Sequence, residues 1–429
     1  MIMIYFLYDI LLFLAYLAYL PVYALRGRVH ADILTRLGFI KHGIFDGVRG
    51  GDVVWIHAVS VGEARAAESL IRLIRSSWPK KRIVVSTVTP TGHAIVRKIL
   101  KDDEVAFYAP LDVSFIVSSY LKEIRPSLLI IMETEIWPNL IRLTKTSGAA
   151  VVVVNGRISD RSFKRYGRMK RFLKATLEKI DLFCMQTAEA ADRIIILGAQ
   201  KNKVKVTGNI KFDISADFGE PPALQALKDI LKGAVFMIAG STHENEEEGI
   251  IEIYKSLRKD FPSLRLLIAP RHIERVDKIR RIVRLQGMEA VNISRLSVSA
   301  ASVPAISSAQ VLILDSVGDL NAFYSLCDVA YVGGSLVPRG GHNPIEPALF
   351  GKAIVFGRYM DNFREIRDIF IKEKAAIQVE SFQSLEYELR RLLASPADRR
   401  ALGDNAKGLI DRNRGAASRA FEVIRGILA

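Results

Sequence analysis

A carboxylate at the mouth of a strand is a simple device for taking a proton from a hydroxyl, and the turn Ala58-Val-Ser-Val-Gly-Glu63 supplies one. Glu63 follows the apolar run from Val53 to His57 and stands where a helix begins. There it can complement the helix dipole, an effect of up to about 1 kcal/mol, or serve as a general base if its pKa suits the transfer. Glu133 and Glu135 follow a second apolar run in Met132-Glu-Thr-Glu-Ile-Trp-Pro-Asn139. A period of two puts both on one face of an extended segment, where they can share a site. Lys211, in Thr207-Gly-Asn-Ile-Lys-Phe-Asp213, offers a cation near a domain junction. His57 lies inside a strand and reads as a core or supporting histidine, and Thr89-Pro-Thr-Gly92 as a structural turn.

A different chemistry is suggested by Gly333 to Pro347, which reads Gly-Gly-Ser-Leu-Val-Pro-Arg-Gly-Gly-His-Asn-Pro-Ile-Glu-Pro. A glycine-rich passage from strand to helix lets backbone N–H groups approach a ligand, and a helix N-terminus favours an anion such as phosphate. Part of the pattern is plain helix chemistry: Asn343 can cap, Pro344 fits the first turn and Glu346 can close a capping box. Four glycines, Arg339 and His342 exceed what a cap needs. Ala239-Gly-Ser-Thr-His-Glu244, Ala269-Pro-Arg-His272 and Asp315-Ser-Val-Gly-Asp319 also follow apolar runs, and this polar set suits a phosphorylated nucleoside.

The elements that must position these residues alternate. Short β-branched runs at 53–57, 83–87, 128–131, 149–154 and 182–185 are separated by stretches of helical spacing. Phe212 to Pro222 interrupts the series as a linker, and the alternation restarts at 235–239, 264–269, 311–314, 329–332 and 354–356. Such a pattern predicts two doubly wound α/β halves with parallel sheets, whose ligands gather at the carboxyl ends of the strands. The expected boundaries are a membrane anchor over 1–25, a first domain over 26–215 and a second over 216–429, with the terminal helices free to pack back on the first.

The 429 residues carry 61 Lys+Arg against 46 Asp+Glu, a formal charge of +15, with a sequence pI near 9.7. That balance suits an anionic partner: nucleic acid, an anionic membrane surface or a phosphorylated substrate. Two cysteines, Cys184 and Cys327, allow no disulfide framework and show no metal spacing. Ile2 to Leu25 is almost wholly apolar, with Asp9 its one formal charge. It has the length to cross a bilayer, for which about 20 residues suffice, or it can lie in one leaflet. Nothing basic precedes it, unlike a cleaved signal peptide, and Arg26 and Arg28 behind it predict a cytoplasmic position for the rest. Between Arg157 and Lys179 a basic run lies beside an apolar stripe of Tyr166, Met169, Leu173, Leu177 and Ile180. Its face, including Arg161, Arg165 and Arg168, is either solvated or a contact for lipid head groups.

Taken together, these motifs resemble the 3-deoxy-D-manno-octulosonic acid (Kdo) transferases of lipopolysaccharide synthesis. The likeness runs from the apolar start through His57-Ala-Val-Ser-Val-Gly-Glu63, Met132 to Asn139, Asn155-Gly-Arg-Ile-Ser159, Gly208 to Asp213, Pro270-Arg-His272 and Gly333 to Pro347. It implies the GT-B architecture, two Rossmann-like domains facing a central cleft. It also implies inverting transfer of Kdo from CMP-Kdo to the glucosamine disaccharide of a lipid A precursor (lipid IVA), on the cytoplasmic face of the inner membrane. By the same resemblance Glu63 is the general base, Glu133 and Lys211 stabilise the transition state, and Pro270, Arg271, Val317, Gly318, Asp319, Asn343, Pro344, Ile345 and Glu346 bind CMP. Arg161, Arg165 and Arg168 are candidate contacts for the acceptor or lipid. No metal, no other cofactor and no nucleic acid is expected. Two residues depart from the family's pattern: Asp319 stands where a glutamate is common, and Asn245 where a glycine is expected. The alternatives are another GT-B nucleotide-sugar enzyme, such as an epimerase, and a non-catalytic nucleotide- or lipid-binding protein of the membrane surface.

Overall fold

The computed structural model describes residues 2–25, 33–40, 43–213, 219–231, 233–297 and 310–428. Arg26, Arg28 and residues 214–218 of the expected linker lie outside the described residues. The chain divides into two compact units, Met1–Asp213 with Asn413–Ala429, and Ile214–Arg412.

Among the described residues the first unit has seven parallel strands: β1 (Asp52–His57), β2 (Lys81–Thr87), β3 (Val105–Tyr108), β4 (Pro126–Met132), β5 (Ala150–Gly156), β6 (Leu182–Met185) and β7 (Val204–Val206). They lie in the order β3-β2-β1-β4-β5-β6-β7. The second unit repeats the plan with β8 (Phe236–Thr242), β9 (Arg265–Pro270), β10 (Ala290–Asn292), β11 (Val311–Ile313), β12 (Val329–Val332), β13 (Ala353–Gly357) and β14 (Ile377–Val379). Their order is β10-β11-β9-β8-β12-β13-β14. Helices cover both faces of each sheet, so the central strands are continuous apolar runs instead of alternating ones. Val54 and Ile56 of β1 face one core and Val53 and Trp55 the other; the second sheet likewise separates two cores.

Each sheet reverses its winding beside its first strand, between β1 and β4 in one unit and between β8 and β12 in the other. At such a reversal neighbouring crossovers leave on opposite faces, which opens a crevice at the carboxyl end of the sheet. Glu63 lies in the first turn of the helix that follows β1 and Glu133 in the turn that follows β4; the loops after β8 and β12 carry His243 and the glycine-rich stretch.

The N-terminal helix is Ile2–Leu25; among the described residues no helix is long and apolar enough to cross a membrane, so the expected membrane segment finds no support as a span. Polar groups on it are committed to the protein. Tyr8 Oη donates to Asp112 at 3.0 Å, and Asp9 accepts from Ser114 N at 3.1 Å and Asn139 Nδ2 at 2.6 Å. Tyr5 is buried, and Leu12, Phe13 and Tyr16 pack on the core of the first unit. Met3, Phe6, Leu7, Ile10, Leu11, Leu14 and Leu17 are exposed, and their spacing places them on one face of the helix.

The basic run is also not one helix. Asp160–Gly167 and Lys170–Leu177 are separate helices, and Met169, expected in the apolar stripe, is 55% exposed at the break. Leu173, Leu177 and Ile180 are buried as the spacing requires, and Arg161, Arg165 and Arg168 are exposed.

The last helix, Ala416–Leu428, belongs to the first unit and packs Phe421 against Trp78. Asp213 caps it: one carboxylate oxygen accepts from Gly415 N at 2.5 Å and Ala416 N at 3.3 Å, the other from Ala417 N at 2.6 Å. Removing a side-chain cap costs about 0.5–2 kcal/mol. Asp213→Ala is therefore expected to lower stability by about that amount in urea unfolding, and Asp213→Asn by less.

Candidate functional site

In the first unit Ser60 caps the helix Val61–Ser77, accepting from Glu63 N at 3.3 Å. The Glu63 carboxylate folds back over the same turn, accepting from Val59 N at 2.7 Å and Ser60 Oγ at 2.8 Å. Capping is thus part of its role. It is also buried, and burial together with the charges of Glu133 and Glu135 pushes its pKa up to about 8, against the two hydrogen bonds that favour the carboxylate.

Glu133 comes from the end of β4 with a φ of 56°, in the left-handed region. This turn defeats the expectation of an extended segment with Glu133 and Glu135 on one face. Glu133 accepts ion pairs from Lys211 Nζ and Arg157 Nε, both at 2.7 Å, whereas Glu135 accepts from Trp137 Nε1 at 3.1 Å. Burial disfavours the Glu133 carboxylate, but its two cations outweigh burial and hold the pKa below the usual range. Three stretches far apart in sequence therefore meet: the ends of β4 and β5, and the 3-10 turn Ile210–Phe212. Asn155, at the end of β5 with a φ of 60°, accepts from Ile210 N at 2.9 Å and so fixes the backbone that carries Lys211.

His57 is fully buried, with Nδ1 at 2.8 Å from Ser86 Oγ and its ring edge-on to Trp137. Its Nε2 has no hydrogen-bond partner, and burial lowers its pKa to about 3, which keeps it neutral.

In the second unit the first part of the glycine-rich loop has a partner within the protein. The N–H groups of Gly334, Ser335 and Leu336 point at Glu246, donating at 2.7, 3.1 and 3.0 Å. Tyr331 Oη and His243 N add bonds of 2.5 and 3.2 Å to the same carboxylate. A protein carboxylate, fully buried, thus fills the anion nest that the sequence suggested for a phosphate. Gly333 is required there because a Cβ would lie 2.6 Å from Ser241 O, where the ends of β8 and β12 converge.

What the loop presents outward is a group of histidines and arginines. His243 and His342 stack with ring centroids 5.1 Å apart and their Nε2 atoms 2.9 Å apart, and His272 stands edge-on to His243. Burial, and then neighbouring positive groups that include Arg271, lower both pKa values to about 4. Neutral imidazoles among cations form a site whose unmet demand is for negative charge.

Other sequence-predicted residues of this unit lie on loops at the carboxyl ends of β9, β11 and β12. Pro270 ends β9, and Arg271 N donates to Thr242 O at 2.9 Å. Val317 is 78% exposed, Gly318 has a φ of 97°, and Asp319 precedes the helix Leu320–Tyr324, accepting from Ser316 Oγ at 2.5 Å. Pro344 precedes the short helix Ile345–Ala348. Asn343 Oδ1 accepts from Ile345 N at 3.1 Å, and Asn343 Nδ2 donates to Glu346 at 3.3 Å, a side-chain pair in place of the expected capping box. Among the described residues no group of three His, Cys, Asp or Glu side chains could hold a metal ion, and both cysteines are buried and free.

Glu246 and Arg157 are the residues that sequence reasoning left out of the site. Glu246 gave a weak signal, standing three residues after His243 at a strand end, but four of its five donors lie 85 to 90 residues away. Glu246→Gln would set an amide donor among five donors, an unmet arrangement that costs about 1–3 kcal/mol. The expected result is faster amide exchange at Gly334, Ser335 and Leu336 with the strands of the second unit still protected; Tyr331→Phe should show a smaller change.

A family model described as 3-deoxy-D-manno-octulosonic-acid transferase matches residues 31–214. The 3-deoxy-D-manno-octulosonic acid transferase of Haemophilus influenzae is 33% identical over 403 residues, 94% of this chain and 92% of that protein. The transferase of the same name from Chlamydophila psittaci is 29% identical over 423 residues, covering 97% and 95%. Among solved structures, a putative UDP-N-acetylglucosamine 2-epimerase from Listeria monocytogenes aligns with a TM-score of 0.54 at 13% identity, over 88% of this chain and 97% of that one. That likeness concerns fold, two parallel-sheet α/β domains of the kind found in GT-B glycosyltransferases. At 33% identity over nearly the full length of both chains, the Haemophilus relative fixes the family: this chain belongs to the Kdo transferases, glycosyltransferases that use CMP-Kdo.

Proposed function

We propose that the acceptor of this transferase is the glucosamine disaccharide of a lipid A precursor such as lipid IVA, and that transfer proceeds with inversion, Glu63 acting as general base. The observation that carries this reading is the buried Glu63 carboxylate with a pKa near 8, beside the Glu133–Lys211–Arg157 group. A carboxylic acid with so high a pKa is a strong base once ionised, and it takes the acceptor proton as the hydroxyl attacks the anomeric carbon. Departure of CMP places positive charge on the sugar ring and negative charge on the phosphate. Glu133 faces the first with fixed negative charge, and Lys211 moderates that charge and offers a donor to the carboxylate of Kdo.

The nucleotide end falls to the second unit. Pro270, Arg271, Val317, Gly318, Asp319, Asn343, Pro344, Ile345 and Glu346 form the proposed CMP set. Because Glu246 takes the N–H groups of Gly334, Ser335 and Leu336, negative charge on the donor is met by Arg271 and the histidines at the rim of the loop. No metal or other cofactor enters the scheme. The exposed apolar stripe of the N-terminal helix supports a monotopic seat on the cytoplasmic face of the inner membrane, with Arg161, Arg165 and Arg168 as further contacts for the acceptor or lipid.

Purified protein incubated with CMP-Kdo and lipid IVA should transfer Kdo, and Glu63→Ala should lose at least about a hundredfold in kcat, as expected for a lost general base. Absence of transfer by the folded protein would overturn the acceptor assignment; full activity in the variant would overturn the base. The pH profile supplies a second check. The base works ionised, so kcat/KM should rise with pH through about 8 and then level. Glu133→Gln removes a charge that raises the Glu63 pKa, so the rise in that variant should move to lower pH.

A further inference from the structure

A cavity of about 400 Å³ opens beside the first turns of the N-terminal helix, lined by Tyr5, Phe6, Asp9, Ser114, Arg142 and Lys179 among others. None of these belongs to the proposed chemistry. Arg142 stacks its guanidinium 4.6 Å from the centre of the Tyr5 ring and donates from Nη2 to Ser114 Oγ at 2.9 Å and Asn139 Oδ1 at 3.0 Å. Its Nε is buried with no hydrogen-bond partner, and among the described residues neither Arg142 nor Lys179 makes an ion pair. Asp9, the acidic group of the cavity, has Oδ1 engaged by Ser114 N and Asn139 Nδ2. Two cations against one carboxylate leave a net charge of +1, which equals in size the single negative charge of a phosphodiester.

The cavity lies at the edge of the apolar stripe. Phe6, one of its walls, is 63% exposed, and Met3 and Ile10 continue the same helix face at 81% and 40%. If that face rests among acyl chains, as proposed above, the cavity falls at the depth of the head groups. We infer that Arg142 and Lys179 form a binding site for the phosphodiester head group of an anionic phospholipid, whose acyl chains continue along the Phe6 face. Head groups that carry their own cation, such as choline, suit it less because they bring positive charge to a cavity already positive.

The test is flotation of the full-length protein with vesicles of phosphatidylcholine, alone or mixed with phosphatidylglycerol. Lys179→Ala, a partly exposed substitution that leaves the core intact, should weaken partition onto the mixed vesicles about fivefold, the equivalent of about 1 kcal/mol for one basic residue at such a surface. Lys179→Arg should restore it, and Lys98→Ala, at an exposed lysine on the helix Pro90–Ile99, should leave it unchanged. Equal binding by Lys179→Ala and the unaltered protein, or an equal loss in Lys98→Ala, would overturn the site. In detergent with lipid acceptor, Lys179→Ala should keep its KM; a raised KM with unchanged partition would assign the cavity to the acceptor and also overturn the proposal. The membrane seat itself is checked separately by Leu7→Asp, which should reduce binding to both kinds of vesicle. Loss there with full binding by Lys179→Ala removes the head-group site alone.

Discussion

The ion pairs that Glu133 makes with Lys211 and Arg157 keep a buried carboxylate charged at the end of β4. A carboxylate withdrawn from water keeps its charge only if donors replace the lost solvation. With two cations Glu133 stays ionised, and its fixed charge is one of the causes that raise the pKa of Glu63. Two buried carboxylates in one crevice thereby take different protonation states, the arrangement that lets one act as base while the other supplies field. Glu246 answers the same demand without a cation, through four backbone N–H groups and a phenol. Its charge is spent on holding a loop, whereas that of Glu133 remains available to the chemistry.

Both units place these groups at the same topological position. Winding reverses next to the first strand of each sheet, and the segments that follow the strands on either side of the reversal carry Glu63 and Glu133 in one unit and His243 and Gly333 in the other. The repeated fold thus supplies the same topological position twice, and the side chains make the two unlike. One holds acidic groups with pKa values driven apart; the other holds neutral histidines among arginines.

How much of this could be read from the sequence depends on how each element is buried. The central strands are covered on both faces and appear as unbroken β-branched runs. The strands absent from the sequence reading, β3, β7, β10 and β14, are the four sheet edges. Edge strands are short, three or four residues here, and an edge carries no requirement for a continuous apolar run. Glu63, Glu133 and Lys211 were legible because each follows a strand or turn with its own local pattern. The contacts of Glu246 were not, because an anion nest looks the same in sequence whether a ligand or a distant carboxylate fills it. The seating of the N-terminal helix was hidden for a related reason: hydropathy counts Tyr5, Tyr8 and Asp9 without showing that partners at 112, 114, 139 and 142 await them.

The cap that Asp213 places on the final helix joins residues about 200 positions apart within one unit. Everything from Ile214 to Arg412 is inserted between them as a second compact unit. During synthesis the first sheet is therefore complete long before the helix that covers Trp78 and Ile74 leaves the ribosome. Domains tend to fold in the order in which they emerge, so the second unit can mature while the first still exposes an apolar patch. That interval is when the nascent chain is most open to chaperone binding, and a truncation that removes the helix Ala416–Leu428 would make the exposure permanent.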